Sequence, residues 1–443
     1  MKLFGKEKDE CGVRFYFLGV KVYEERKLPH ARKTYVFGIR VKKKTYVKKA
    51  EISPATLAMQ QKIEWRTRLY AAEQRILSLG VFYKDMPKEQ RYYLCFDALM
   101  SPYPEAIDAW TFFQYLQEKG LPSKYVLLKK NPLFAQLQQE NRLKDVLAVD
   151  GEMQFLTEYP DIIAQSRAVL CSFGFDLCNI FKLLPFSKYV FIEHGVTLIN
   201  EWSANYYKAD MFDARLIPTT KTRELYNRLG VDPSRLLDCG FPRWDKLQPA
   251  VKGKKERKIF VFFTMRASFA KDRRLRPSYL ERIQSFINRL QADLEGRVDI
   301  SLYFAAHHTL MLQDSRFSPK VIKNVNIIQP SDISSMIREA DMCITDFSSI
   351  SFDFLYRDVP TIYYCFDTDL VYSHMRDQTK LAADQIDRLL YNCCRDEEAA
   401  LARVRYYIES DFELEPELKK VNANLFWARE GNCERLLRQI EAL

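Results

Sequence analysis

The sequence predicts an α/β chain: two Rossmann-like domains facing across a cleft, preceded by a small basic β-rich module and closed by a helical C-terminal tail. Three observations carry this. From residue 92 onward short apolar runs alternate with amphipathic stretches, the rhythm of βα units on a parallel sheet. The charged, apolar-poor string VKGKKERK at 251–258 interrupts that rhythm, which then restarts. Finally, 47% of the 443 residues are apolar and only 14 are Gly and 18 Pro, a composition suited to large cores rather than to a disordered or fibrous chain.

Residues 1–50 form the basic module. They hold 15 Lys and Arg against 5 Asp and Glu, whereas the remaining 393 residues hold 53 of each, so the whole formal charge of +10 sits at the N-terminus. A nucleic-acid-binding enzyme would spread basic residues over its body, because phosphate neutralisation dominates its affinity. The balanced body therefore argues against nucleic acid as partner. FYFLGVKV (15–22) and TYVFGIRV (34–41) repeat nineteen positions apart, and their period-two aromatic and β-branched pattern predicts two strands paired as a ribbon. Lys42–Lys44, Lys48 and Lys49 follow directly. Such a set suits docking on an anionic membrane surface, where each basic residue contributes roughly 1 kcal/mol. A solvated ribbon with a charged face is the alternative.

Residues 51–90 are read as a linking helix from Pro54 to about Leu79. Leu57, Ile63, Leu69 and Ile76 recur at helical spacing, for packing on the next domain or for homo-oligomerisation. In residues 91–250 the strand candidates are YYLCFDAL (92–99), YVLLKK (125–130), VLAV (146–149), AVLCSF (168–173) and YVFIEH (189–194). In residues 251–412 they are IFVFFT (259–264), DISLYFA (299–305), VNII (325–328), MCIT (342–345) and PTIYY (360–364). Helices are expected from about 380 to 442, with residues 413–443 as the tail.

Several function classes fall away. No G-x-G-x-x-G opens a βα unit, and no G-x-x-x-x-G-K-[ST] loop is present, which disfavours dinucleotide binding and P-loop chemistry. The most apolar region, 168–192, is broken by Asp176, Lys182 and Lys188, so no transmembrane helix is expected. MKLFGKEKDECG lacks the apolar core of a secretory leader. The ten cysteines show no C-x-x-C pair and no His/Cys cluster at metal spacing, which suggests reduced thiols, a cytoplasmic setting and no metal.

Four strings close predicted strands, where open α/β sheets place their ligands. In FIEHGVTLIN, His194 can accept a proton near neutrality and Gly195 allows a sharp turn and close backbone approach. A hydrogen-bonded structural histidine is the competing reading. In CGFPRWDKL (239–247), Arg243 can clamp a phosphate with Asp245 orienting it, although by itself the string reads first as an ordinary turn with an ion pair. In FAAHHTL, His307 and His308 point to opposite sides of an extended chain, so at most one faces the cleft. In ITDFSSISFDFLYRDVPTIYY (344–364), Asp346 ends a strand and Ser348 and Ser349 open a helix. Serines there serve as caps and also line an anion site. Asp353 suits a ribose hydroxyl or a structural bond.

Together, HG after a strand, GxPRxD, a strand ending in histidine and TDxSSxxFDFL resemble the CDP-glycerol glycerophosphotransferases, the polymerases and primases of teichoic acids and related capsules. Thr264-Met265-Arg266 matches that family's Thr-x-Arg element, and FDALMSPYPEAIDAWTFFQYL (96–116) its opening βα unit. The resemblance covers residues 92–412.

It implies a GT-B architecture with the acceptor in the domain at 91–250 and a CDP donor in that at 251–412. The reaction would move glycerol phosphate or ribitol phosphate from CDP-glycerol or CDP-ribitol to a glycan or polyol-phosphate acceptor, releasing CMP, with no cofactor beyond the donor. His194 would be the general base, and His307 or His308 would contact donor phosphate. Arg243, Thr264 and Arg266 would serve the phosphates, Ser348 and Ser349 would cradle the pyrophosphate, and Asp346 and Asp353 would position hydroxyls. The enzyme would lie on the cytoplasmic face of a bacterial membrane. Two departures stand out: Asn200 and its neighbours replace a Lys that many relatives carry after HG, and His307–His308–Thr309 replaces His-Pro. A GT-B glycosyltransferase using a nucleotide sugar is the second reading, and a non-catalytic scaffold of a polysaccharide-assembly complex the third.

Overall fold

The computed structural model describes residues 4–9, 12–17, 20–28, 31–36, 39–45, 54–97, 108–172, 184, 186–193, 195–196, 212–251, 253–264, 276–306, 325–329, 332–374 and 393–443. The chain divides into two compact units, residues 1–68 and 69–443.

In the first unit five strands form an antiparallel meander in sequence order: β1 (Phe4–Asp9), β2 (Gly12–Phe17), β3 (Val20–Leu28), β4 (Ala31–Val36) and β5 (Ile39–Thr45). This corrects the expected two-stranded ribbon. Each copy of the repeat crosses a hairpin corner, since Phe17 pairs with Val20 and Val36 with Ile39. The period-two pattern runs on from one strand into the next, so each pair of strands reads as one in the sequence.

The Pro54–Phe82 helix runs three residues beyond the expected end. Residues 58–68 are exposed, whereas Ala72 and Ile76 are buried against the first large sheet. Its C-terminal part therefore packs on the following domain.

The second unit contains two parallel sheets. The first has seven strands in the order β12-β11-β10-β9-β6-β7-β8. They are β6 (Tyr92–Phe96), β7 (Ser123–Leu128), β8 (Val146–Val149), β9 (Ser166–Cys171), β10 (Lys188–Phe191), β11 (Ala214–Ile217) and β12 (Leu236–Asp238). Each residue's face follows from the pleat. Tyr93, Cys95, Leu170 and Val190 pack with Phe112, Leu116 and Leu436, while Leu94, Phe96, Val169 and Phe191 pack with Ile76, Phe155 and Ile163. Helices cover both faces, so both residue parities are apolar and the strands read as unbroken runs.

The second sheet has six strands in the order β15-β14-β13-β16-β17-β18. They are β13 (Arg257–Phe263), β14 (Ile300–Ala306), β15 (Asn326–Ile327), β16 (Met342–Thr345), β17 (Thr361–Tyr364) and β18 (Cys393–Cys394). Ile259, Val261 and Ile344 pack against the Arg276–Asp293 and Glu397–Glu409 helices, and Phe260, Phe262 and Cys343 against Met336 and Phe354. β11, β12 and β18 were not foreseen: β12 and β18 are short, and Arg215 breaks the apolar run of β11.

The C-terminal Pro416–Leu425 and Asn432–Glu441 helices return to the first sheet, where Leu425, Cys433, Leu436 and Ile440 share a core with Trp244 and Phe112. The same core takes Phe352, Leu355 and Tyr356 from the second sheet's side, so one apolar body joins the two domains. Among the described residues no helix is long and apolar enough to cross a membrane.

Candidate active site

Gly195, Thr264 and Asp346 follow strand ends and Ser348 and Ser349 lie in the turn after β16, whereas Arg243 sits in the turn after β12 and Asp353 within the Ser351–Tyr356 helix. Asp97, one residue past β6, accepts from the backbone N–H of Ala109 and Trp110 at 3.2 Å each, the start of the Asp108–Glu118 helix. It also accepts from the Tyr125 hydroxyl at 2.9 Å and from Ser172 Oγ at 3.3 Å. Burial, then the neighbouring Asp108 charge, pushes the Asp97 carboxyl up to about 7 despite these donors. Sequence reasoning missed this residue, because a lone Asp after a strand carries no motif.

Gly195 follows β10 and touches the second domain. A Cβ at this position would lie 2.8 Å from the Ser349 Cβ and closer still to its Oγ. Only glycine permits that approach. The HG string of one sheet and the SS string of the other, far apart in sequence, therefore meet.

The ITDFSS loop is ordered from both sides. Asp346, fully buried, accepts from the Thr264 N–H at 3.1 and 3.2 Å, and the Tyr279 hydroxyl lies 3.1 Å from its Oδ2 and 2.9 Å from the Thr264 carbonyl. Asp346 thus ties the end of β16 to the end of β13. Ser348 Oγ accepts from the Ile350 N–H at 3.4 Å, and Ser351 Oγ donates to the Ser348 carbonyl at 2.8 Å. The helix begins at Ser351, later than the sequence suggests, and a turn at Ser349–Ile350 precedes it.

Arg243 lies in the Pro242–Lys246 turn and spans the domains. Its Nη1 donates to Asp108 and its backbone N–H meets the same carboxylate at 2.9 Å. Nε and Nη2 donate to Asp353 at 3.0 and 3.4 Å. Trp244 Nε1 adds a bond to Asp353 at 2.5 Å. Burial opposes the charge, yet the two carboxylates hold the Arg243 guanidinium above its ordinary range. Asp353, in turn, spends its oxygens on Arg243 and Trp244, the structural bond that the sequence left open. Asp245 does not orient Arg243 as expected. It accepts from the Asn432 N–H and Nδ2 and the Cys433 N–H, all at 2.8 Å, and so caps the C-terminal helix. Gly240 admits that helix, since a Cβ there would lie 2.9 Å from Asn432 Cγ and from Trp244 Cε3.

His194, Arg266, His307 and His308 lie outside the described residues. Among the described residues no three His, Cys, Asp or Glu side chains gather as a metal site requires.

Residues 151–442 match the family profile of CDP-glycerol:poly(glycerophosphate) glycerophosphotransferase, about two thirds of the chain. The chain belongs to this family. The minor teichoic acid biosynthesis protein GgaB of Bacillus subtilis (strain 168) is 22% identical over 278 residues, covering 57% of this chain and 29% of GgaB. The chain thus spans under a third of that relative's length. The wall teichoic acid polymerase TagF superposes with a TM-score of 0.55 at 14% identity, covering 87% of this chain and 97% of that one. A TagF variant soaked with CDPG gives 0.54 at 14% identity, covering 86% and 98%. The two parallel sheets joined through a C-terminal helical return are the GT-B fold of TagF.

Proposed function

We propose that this enzyme transfers a polyol phosphate, glycerol phosphate or ribitol phosphate, from a CDP-activated donor to a teichoic-acid or capsule-type acceptor. The acceptor hydroxyl would attack the phosphorus that bears the polyol. The bond to the bridging oxygen breaks, CMP leaves, and the hydroxyl proton passes to the base. Phosphoryl transfer of this kind asks the protein for positioning and charge stabilisation. The observation that carries the reading is the contact of Gly195 with Ser349, which brings the residue after His194 against the serine pair of the other domain. His194 is the base in this proposal, His307 or His308 and Arg266 meet the donor phosphates, and Ser348 and Ser349 flank the pyrophosphate. The compensated charge of Arg243 suits a fixed frame for these groups.

The first unit supports a peripheral membrane placement. The register sets Arg26, Lys33 and Lys43 side by side on β3, β4 and β5, and Lys27, Arg32 and Lys44 in the next row. Neighbouring rows of a sheet face opposite ways, so three basic positions lie on each face at one end of the meander, and anionic lipid headgroups would neutralise such a row.

Purified protein given CDP-glycerol or CDP-ribitol and a short polyol-phosphate acceptor is expected to release CMP, and His194→Ala to lose about 10²- to 10⁴-fold in kcat, the usual worth of general acid–base catalysis. No CMP from either donor, or equal turnover in the variant, would sink the assignment.

A further inference from the structure

Glu193 stands between β10 and His194, and no motif singles it out. Its backbone is left-handed, with φ 50°. Few non-glycine residues adopt this region, and Glu lacks the short side chain by which Asn or Asp offsets the cost. The side chain is also buried, 1% exposed. One carboxylate oxygen accepts from the Tyr226 hydroxyl at 2.6 Å and lies 3.8 Å from Arg215 Nε. Arg215 Nη1 donates to the same hydroxyl at 2.7 Å. Arg215 belongs to β11 and is 3% exposed, held 5.0 Å from the ring centres of both Phe191 and Tyr226. Tyr226 comes from the Thr220–Arg228 helix, which the Thr219 side chain caps through the Thr222 N–H. Three buried polar side chains from three elements thus close a triangle behind the end of β10.

Burying a carboxylate and a guanidinium gains little stability over apolar residues of similar volume. A left-handed Glu adds strain, and such strained corners persist only where the surroundings over-determine them. Two residues on, Gly195 rests against Ser349 of the other domain. Glu193 is therefore held by the buried triangle and Gly195 by the facing loop. His194 is the residue between.

We propose that Glu193 is a positioning residue whose left-handed corner, locked by Tyr226 and Arg215, sets the course of the chain through His194 to the Gly195–Ser349 contact. The proposal rests on the assignment of His194 as the base. Glu193 touches no substrate; it acts by fixing the residue that does. A misplaced catalytic group costs about 10²-fold per ångström, so a loosened corner is expected to show in kcat.

The test compares Tyr226→Phe, Glu193→Ala and Glu193→Gly in the full chain, each checked for folding by circular dichroism and thermal melting. Two readouts are taken: the kinetics of CMP release, and the His194 signal in spectra of protein carrying ¹⁵N-labelled histidine. That signal is assigned by its loss in His194→Gln among the five histidines. Tyr226→Phe and Glu193→Ala are expected to lower kcat about 10²-fold with the donor KM unchanged, and to move the His194 signal alone. Glu193→Gly, which adopts φ near 50° without strain, is expected to recover part of the loss seen in Glu193→Ala. If Glu193→Ala does not fold, Tyr226→Phe, which removes one hydroxyl, carries the test. Folded variants with wild-type kcat and an unmoved His194 signal would overturn the proposal. If the wild type itself releases no CMP, the functional assignment fails, and movement of the His194 signal still decides the corner.

Discussion

Arg243 illustrates what a buried charge demands. Three of its guanidinium nitrogens and its backbone N–H are spent on Asp108 and Asp353, which are almost fully buried. The sequence offered it as a phosphate clamp, since an Arg after a Gly-Pro turn suits that role. The two carboxylates that occupy it lie 135 and 110 residues away, beyond what local pattern can show. Arg243→Met would leave two buried carboxylates without their cation, and a loss of about 3–5 kcal/mol in urea unfolding is expected. A loss under about 1 kcal/mol, the scale of an exposed pair, together with a raised donor KM would place Arg243 on the phosphate instead. Gly195 lies at the same scale. Its motif was legible, but its reason, the Ser349 side chain from another domain, was not.

Among the elements, continuous apolar strands were the easiest to read. MCIT coincides with β16, buried throughout, and VLAV with β8, an edge strand whose first three residues are half-buried, because in both every residue is apolar and the run stands out from its flanks. β11 was hidden by Arg215, whose charge looks like a surface signal until Glu193 and the surrounding rings are seen. The Asn432–Glu441 helix needed a partner that sequence could not supply. Its first N–H groups have no acceptor within the helix, and Asp245 reaches across 187 residues to meet them. Asp245→Ala is expected to cost about 0.5–2 kcal/mol, as loss of a cap does. It should also speed amide exchange over residues 432–441 before the rest of the fold. Unchanged exchange there would show that the core contacts of Leu436 and Ile440 suffice.

Across the whole molecule, the formal charge and the proposed catalysis belong to different parts of the chain. The formal +10 belongs to residues 1–50, and residues 69–443 form a compact unit with its own cores. Removing residues 1–50 is expected to abolish co-sedimentation with vesicles rich in anionic lipid, a binding that rising salt should weaken in the intact chain. CMP release on a soluble acceptor should persist. Collapse of turnover on that acceptor would instead make the basic meander part of the active site.

The sequence by itself determined the α/β class, most strands of both sheets, the basic N-terminal module and the family resemblance. Each of these is written in local order: apolar runs, charge counts, short motifs. Tertiary structure alone decided the five-stranded meander, the return of the C-terminal helices onto the first sheet, the Asp108–Arg243–Asp353 bridge, the Gly195–Ser349 contact and the buried triangle at Glu193. Those depend on which distant residues share a buried space. A polar side chain reads the same in sequence whether water or a partner more than a hundred residues away will satisfy it, and only folding makes that choice.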